Sequence, residues 1–365
     1  MSTDARARSD GGTPPRTDPL APRIERWFAT AARDLPWRTR RSGYHALVSE
    51  LMLQQTQVSR VLEKFDGFIR RFPTAAALAA AHEDEVLAEW QGLGYYRRAR
   101  LLHAAAKAVV ERHGGEVPDD PAALRALPGV GRYTSGAIAS IAFGRREPIV
   151  DGNVARVFQR VEAKRGSASD PKVQAWAWQL AERFVAGASD PARANEGLME
   201  LGATVCTPAA PRCGGCPIAQ GCRARAEGLV AAIPAAKPRA PRKELVLVTA
   251  RITRSDGALL VEQRPRGGLW GGLWQPPTVE SADGAALAPR AAARLLGVDI
   301  ALTPAGEVPF ATTHRAVRFV VLDGTVRSAS RSKAAALATS GRRWVMPDAL
   351  SDLALSNAAK RVLAL

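Results

Sequence analysis

Leu127-Pro128-Gly129-Val130-Gly131-Arg132-Tyr133-Thr134 lies between two stretches of helix-period apolar residues, Ala122 to Leu127 and Thr134 to Phe143. Pro128-Gly129 breaks the periodicity, so the sequence predicts helix, tight turn, helix. Gly129 and Gly131 leave backbone N–H groups bare, and the start of the second helix adds a positive dipole, which together suit a phosphate. Alone, a Pro-Gly turn between helices is ordinary. Its neighbours decide what it means.

Outward from the turn, residues 24–228 read as helix after helix. Helical periods run through Tyr44 to Phe72, Glu83 to Trp90 and Ala99 to Arg112, punctuated at Pro73-Thr74, Gly92-Leu93-Gly94 and Gly114-Gly115. Residues 1–22 carry Ser, Asp, Arg, Gly and Pro without an apolar core and read as a disordered tail, not a secretory signal. Residues 229–243 interleave Pro234, Pro238 and Pro241 with Lys237, Arg239, Arg242 and Lys243, the composition of an extended linker. Beyond it, Glu244 to Thr253, the turn Ser255-Asp256-Gly257 and Ala258 to Gln263 predict a hairpin. Ala316 to Leu322 predicts another strand, with helices near Ala285 to Leu296 and Ser356 to Leu365.

The 365 residues suffice for two domains, and 46% hydrophobic with 24% charged residues is a globular composition. A formal charge of +16 asks for an anionic partner, of which nucleic acid is the commonest. No apolar run approaches the ~20 residues of a membrane span.

Cys206, Cys213, Cys216 and Cys222, the only cysteines, fall in one window with spacing C-x6-C-x2-C-x5-C. Such crowding suits a soft metal or a cluster and is unlike a disulfide framework, so a reducing interior is expected. The five histidines lie far away in sequence, favouring a four-cysteine site. Spacing by itself leaves zinc and iron–sulfur both open.

This cysteine loop after a helical region resembles that of the endonuclease III-like DNA glycosylases, and the Leu127–Thr134 stretch resembles their helix–hairpin–helix element. The resemblance implies an all-α helix-hairpin-helix glycosylase region over residues 23–228 with an iron-sulfur loop at 206–222. A 4Fe-4S cluster would sit on Cys206, Cys213, Cys216 and Cys222, and Gly129 and Gly131 would grip the DNA backbone without reading sequence. It also implies that Asp151, in Val150-Asp151-Gly152-Asn153-Val154, stabilises the cationic sugar formed as a base leaves. Without the family, Asp151 reads as a helix N-cap.

Strand-cutting members place lysine in the pattern L-P-G-V-G-x-K-T, whereas this chain has Tyr133 there, and a phenol cannot form the required Schiff base. Ser49-Glu50-Leu51-Met52-Leu53-Gln54-Gln55-Thr56-Gln57-Val58 resembles the signature of the adenine DNA glycosylase branch. That resemblance makes Glu50 the general acid at adenine N7, with Tyr133 and Asn153 orienting the carboxylates. It assigns Trp37, Arg38 and Glu196 to the adenine pocket. Gln55 would enter the vacated base stack and Tyr95 would wedge beside the opposing base, with Arg97, Arg98 and Arg100 on phosphates. Asn195 and Glu200 could equally be ordinary helix-surface residues.

Residues 244–365 resemble the α+β Nudix-like domain with which adenine glycosylases recognise 8-oxoguanine, through Arg264 to Pro277. Hydrolase activity is not expected, because no acidic residue lies between Asp283 and Asp299. His314 is the candidate 8-oxoguanine reader, although Thr312-Thr313-His314 departs from the family's Phe-Ser-His. The expectation is a monofunctional, monomeric glycosylase of the bacterial cytoplasm, associated with the nucleoid and not with membrane. It would excise adenine opposite 8-oxoguanine or guanine in double-stranded DNA. The competing readings are a pyrimidine-lesion glycosylase/lyase and a catalytically silent DNA-binding or redox-sensing protein.

Overall fold

The computed structural model describes residues 20–236, 241–281, 287–326, 331–339 and 341–364. Most of the expected tail, residues 1–19, and residues 237–240 of the expected linker lie outside the described residues. The tail boundary at Pro22 is corrected, because residues 20–22 already form the first turn of a helix.

The helices before the expected linker are α1 (Leu20–Ala31), α2 (Pro36–Thr39), α3 (Gly43–Leu53), α4 (Val58–Arg71), α5 (Ala75–Ala80), α6 (Glu83–Glu89) and α7 (Arg97–His113). They continue with α8 (Pro121–Arg125), α9 (Arg132–Phe143), α10 (Gly152–Val161), α11 (Pro171–Ala186), α12 (Pro191–Thr204) and α13 (Arg223–Ala226). Three of them begin with Asp-Pro. The carboxylates of Asp120, Asp170 and Asp190 accept from the N–H of Ala123, Lys172 and Arg193, while proline fills a first position whose N–H would lack a partner. The single helical period expected over Tyr44 to Phe72 is two helices. α3 ends at Leu53 and α4 starts at Val58, because Gln55 turns left-handed (φ 57°).

The chain divides into two compact units, each discontinuous in sequence. One joins the described residues up to Arg33 with Ala139–Ala236; the other joins those of Asp34–Ile138 with those of Lys237–Leu365. In the first, α10 is buried all round. Its Val154, Val157, Phe158 and Val161 share a core with Ile24 of α1, Ala177 and Phe184 of α11, and Leu198 and Leu201 of α12.

In the second unit, Leu47 to Met52 of α3 are all buried, so this helix carries its one carboxylate, Glu50, into the interior. The same unit holds a mixed sheet of β1 (Lys243–Arg254), β2 (Leu259–Gln263), β3 (Trp274–Gln275), β4 (Thr278–Glu280), β5 (Leu302–Ala311), β6 (Arg315–Val326) and β7 (Arg342–Val345). The order is β3-β2-β1-β6-β5, with β4 also on β1 and β7 on β2. β1 and β6 run parallel from Lys243 opposite Arg315 to Arg254 opposite Val326. The two-residue period of β1 feeds two cores. Val246, Val248, Ala250 and Ile252 meet Ala292 and Leu296 at α14 (Pro289–Leu295), while Leu245 and Leu247 meet Ala358 and Val362 of a C-terminal helix, Asn357–Ala364. Both faces of β1 are therefore covered over Leu245–Val248, which is why that stretch is an unbroken apolar run.

Candidate active site and cysteine centre

Of the expected site residues, Glu50, Tyr133, Trp37, Arg38, Gln55, Tyr95, Gly129, Gly131 and His314 fall in the unit that contains the sheet. Asp151, Asn153, Glu196 and the four cysteines fall in the other.

In the sheet-containing unit, α8, the turn and α9 form the expected helix–hairpin–helix. Gly129 takes φ 79°, and a Cβ there would lie 2.8 Å from Leu101 Cβ, so only glycine fits. Gly131 is exposed with open space beside it, and Tyr133, the second residue of α9, is half-buried. Gln54 donates to Thr134 Oγ1 at 3.4 Å, tying the end of α3 to α9. Trp37 packs edge-on to Phe65 at 5.3 Å, and Arg38 is half-buried on α2.

Gln55 and Tyr95 share two properties. Both are exposed, and both are non-glycine residues with positive φ, 57° and 45°. Each such conformation costs about 1–2 kcal/mol unless its surroundings impose it. The tyrosine pair divides its work: Tyr95 stands 44% exposed, while Tyr96 is buried and donates to Leu355 O at 3.1 Å. Tyr95 Oη shares a 2.7 Å hydrogen bond with Thr313 Oγ1 in the β5–β6 turn. His314 is exposed in that turn, its carbonyl accepting from Lys243 N at 3.0 Å.

The expectation that Arg97, Arg98 and Arg100 lie on phosphates holds a correction. Arg98 is buried and spends its donors inside the protein, on Leu51 O, Met52 O, Thr56 Oγ1, Leu93 O and Gly94 O. Arg100 pairs with Glu83 at 2.9 Å and donates to Gly271 O at 3.0 Å. Only Arg97 is exposed among the three.

In the other unit, Asp151 stands at the start of α10. Its Oδ1 accepts from Val154 N at 2.7 Å and its Oδ2 from Asn153 Nδ2 at 3.1 Å. The capping reading and the catalytic one thus apply to the same carboxylate. Desolvation raises its pKa above the usual aspartate value, against the lowering effect of those donors. α12 approaches closely here because residue 202 is glycine: a Cβ on it would meet Asn153 Cβ at 2.6 Å and the Asn153 backbone at 3.1 Å. Glu196 is buried on the same helix. Asn195 and Glu200, read as possible surface residues, are buried as well. Asn195 donates to Ser140 Oγ and Glu147 O, and Glu200 receives the fork of Arg33.

Two arginines went unread in the sequence. Arg156, one turn beyond Asn153, donates to Asn153 Oδ1 at 2.8 Å, to Gly202 O at 2.9 Å and to Cys206 O at 2.8 Å. Arg160, a further turn on, donates to the carbonyls of Ile233, Thr207 and Pro208 and reaches Cys206 Sγ at 3.4 Å. A continuous set of hydrogen bonds therefore runs from Asp151 through Asn153 and Arg156 to Cys206. The sequence carries no local signal for this, since only the fold buries every residue from Val154 to Val161, charges included.

Cys206, Cys213, Cys216 and Cys222 line one small apolar pocket, walled by Val157, Leu201, Val205 and Ile218. All four thiols are free, and among the described residues no three potential ligands stand at metal-binding distance. Burial pushes the Cys216 thiol up to about 11 and raises Cys222 too. Four sulfurs in so apolar a wall, with no histidine or carboxylate among them, fit a soft, positively charged metal centre that would stabilise the thiolates.

The chain matches the HhH-GPD superfamily of base excision DNA repair proteins over residues 48–183 and a NUDIX domain over residues 248–365. It is 41% identical over 310 residues to the adenine DNA glycosylase of Homo sapiens, covering 69% of this chain and 56% of that one. With that of Mus musculus it shares 34% identity over 92% of this chain and 75% of the relative. A solved thermostable thymine-DNA glycosylase superposes with a TM-score of 0.50 at 29% identity, covering 57% of this chain and 95% of that one. The chain thus spans little more than half the length of its human relative. No helix among the described residues is long and apolar enough to cross a membrane. With helix–hairpin–helix, cysteine loop and Nudix-like sheet in one chain, and a relative matched across three-quarters of its length, the chain belongs to the adenine DNA glycosylase family.

Proposed function

We propose that the protein is a monofunctional DNA glycosylase that removes adenine paired with 8-oxoguanine or guanine in duplex DNA. The observation that carries this reading is the fixed, desolvated carboxylate of Asp151 at the start of α10, in a chain whose hairpin has Tyr133 in place of a nucleophilic lysine.

Breaking the N9–C1′ bond builds positive charge on the sugar, and a carboxylate already oriented by Val154 N–H and Asn153 lowers the energy of that state without reorganising. Glu50 protonates adenine N7, so the base departs as a neutral purine; its place on the buried α3 supports this role. Water then adds at C1′ and leaves an abasic site, its proton restoring the Glu50 carboxyl. Tyr133 and Asn153 orient the two carboxylates, and Trp37, Arg38 and Glu196 hold the adenine. Gln55 and Tyr95 enter the duplex, Gly129 and Gly131 present N–H groups to the backbone, and His314 reads the 8-oxoguanine. The protein acts as a monomer.

Cys206, Cys213, Cys216 and Cys222 would hold a 4Fe-4S cluster. When bound, the cluster would cross-link the loop rigidly through four sulfurs, and none of the bond-breaking chemistry requires it.

The test is single-turnover incubation of end-labelled duplexes bearing adenine opposite 8-oxoguanine, with thymine-glycol duplexes alongside, analysed with and without hot alkali. Alkali-dependent scission at adenine alone, abolished by Glu50→Gln and by Asp151→Asn, is expected. Scission of thymine glycol without alkali would overturn the proposal in favour of a lyase, and absence of any product would leave only DNA binding.

A further inference from the structure

The Arg98 guanidinium is buried among the described residues with no carboxylate partner. Its charge is met by dipoles and rings. Nη1 donates to Leu51 O and Met52 O at 2.8 and 2.7 Å, carbonyls at the negative end of α3. Nη2 donates to Thr56 Oγ1 at 2.8 Å and to Leu93 O and Gly94 O at 3.1 Å each. The guanidinium also lies 5.4 Å from the Trp90 ring centroid and 5.6 Å from that of Tyr95.

These acceptors fall into two sets. Leu51, Met52 and Thr56 bracket the left-handed Gln55; Leu93 and Gly94 lead directly into the left-handed Tyr95. Thr56 Oγ1 is also 3.4 Å from Leu93 O, so the two turns meet on this side chain. A planar fork whose donors point two ways can hold both at once, which the single ammonium of lysine cannot. The residue immediately before Leu51 is Glu50.

We infer that Arg98 is a positioning residue that fixes the turns of Gln55 and Tyr95 to each other and to the end of the helix bearing Glu50, so that base extrusion and proton delivery share one register. The functional half of this inference rests on the adenine-excision reading; the structural half does not.

Two measurements on the full chain separate them. In DNA-free protein, hydrogen exchange of Arg98→Lys is expected to quicken together at residues 54–57 and 93–96 and to leave α10 and α12 unchanged. Loosening of one turn alone, or of neither, overturns the inference. In the second, 2-aminopurine is placed beside adenine in an adenine–8-oxoguanine duplex. Arg98→Lys is expected to lower both the extrusion signal and the saturating excision rate by about 10–100-fold, with half-saturating DNA changed less than about threefold. Excision and extrusion at wild-type levels per folded molecule overturn it. Thr56→Val, which removes one acceptor at nearly constant shape, provides a milder variant should Arg98→Lys not fold; the same pattern at about 3–10-fold is expected. If the wild-type protein excises nothing, the adenine reading fails while the exchange experiment still decides the latch.

Discussion

Replacing Gly202 by alanine puts one methyl group where α12 meets the Asp151–Asn153 segment. Two effects compete. In a helix interior alanine is favoured over glycine by about 1 kcal/mol. Against that, the new Cβ would stand 2.6 Å from Asn153 Cβ and 3.1 Å from two Asn153 backbone atoms, contacts that flexible side-chain ends cannot relieve. Overpacking of this kind costs about 1–3 kcal/mol, so a net loss of roughly 0–2 kcal/mol is expected. Relief requires Asn153 to move by roughly 0.5–1 Å, and misplacement on this scale costs on the order of 100-fold in rate. Asn153 Nδ2 is the donor to Asp151 Oδ2 and Asn153 Oδ1 the acceptor from Arg156, so the shift reaches the carboxylate directly. The assay is single-turnover adenine excision with urea denaturation of the same preparation. A fall of about 10–100-fold in rate, with affinity for an uncleavable duplex held within threefold, is expected. A folded Gly202→Ala protein that excises adenine at the wild-type rate would refute the argument.

Gly129→Ala is expected to cost about 2–4 kcal/mol, combining left-handed strain with the 2.8 Å clash against Leu101, whereas Gly131→Ala stays within about 0.5 kcal/mol; urea titration of both checks the contrast. The Asp151 carboxyl has a folded pKa raised by desolvation, so the folded state binds the extra proton and stability falls as pH rises from the ordinary aspartate value through the raised one. Asp151→Asn, which keeps a capping oxygen, is therefore expected to be more stable than wild type at neutral pH, the gain vanishing below about pH 4; thermal melting across pH measures it. The excision rate is expected to fall on acidification through that same raised pKa, because only the ionised carboxylate stabilises the sugar cation. Arg160→Met strands the buried carbonyl of Ile233 and releases those of Thr207 and Pro208 in the cysteine loop, and is expected to cost about 1–3 kcal/mol and lower iron per chain. Retention of full iron content together with wild-type stability would contradict that.

The parts of this fold legible in sequence are those built from residues with special chemistry. The hairpin announces itself through Pro128, Gly129 and Gly131, the cysteine centre through four clustered thiols, and the β1–β2 hairpin through the turn Ser255 to Gly257 between apolar runs. The break between α3 and α4 was not legible, since residues 54–57 contain neither glycine nor proline and the left turn at Gln55 is imposed from outside by Arg98. Arg98 was misread and Arg156 and Arg160 went unread for the same reason: in a sequence, charge suggests solvent, and these three find carbonyls that only the tertiary fold supplies. β5 escaped notice because Pro304, Pro309 and Glu307 read as loop. As the edge strand of the sheet it tolerates proline, with a register irregularity between Pro304 and Gly306. The pairing of α1 with residues 139–236 had no local trace at all.

That last pairing bears on how the protein is made. α1 emerges from the ribosome some way ahead of α12, against which it packs, and at about 5–20 residues per second the wait amounts to roughly ten to thirty seconds. During it, Ile24 and Phe28 stand in water with nothing to cover them, and the sheet-containing unit is likewise missing every strand. Anything that slows translation over residues 32–204 therefore lengthens the time for which this apolar face is uncovered.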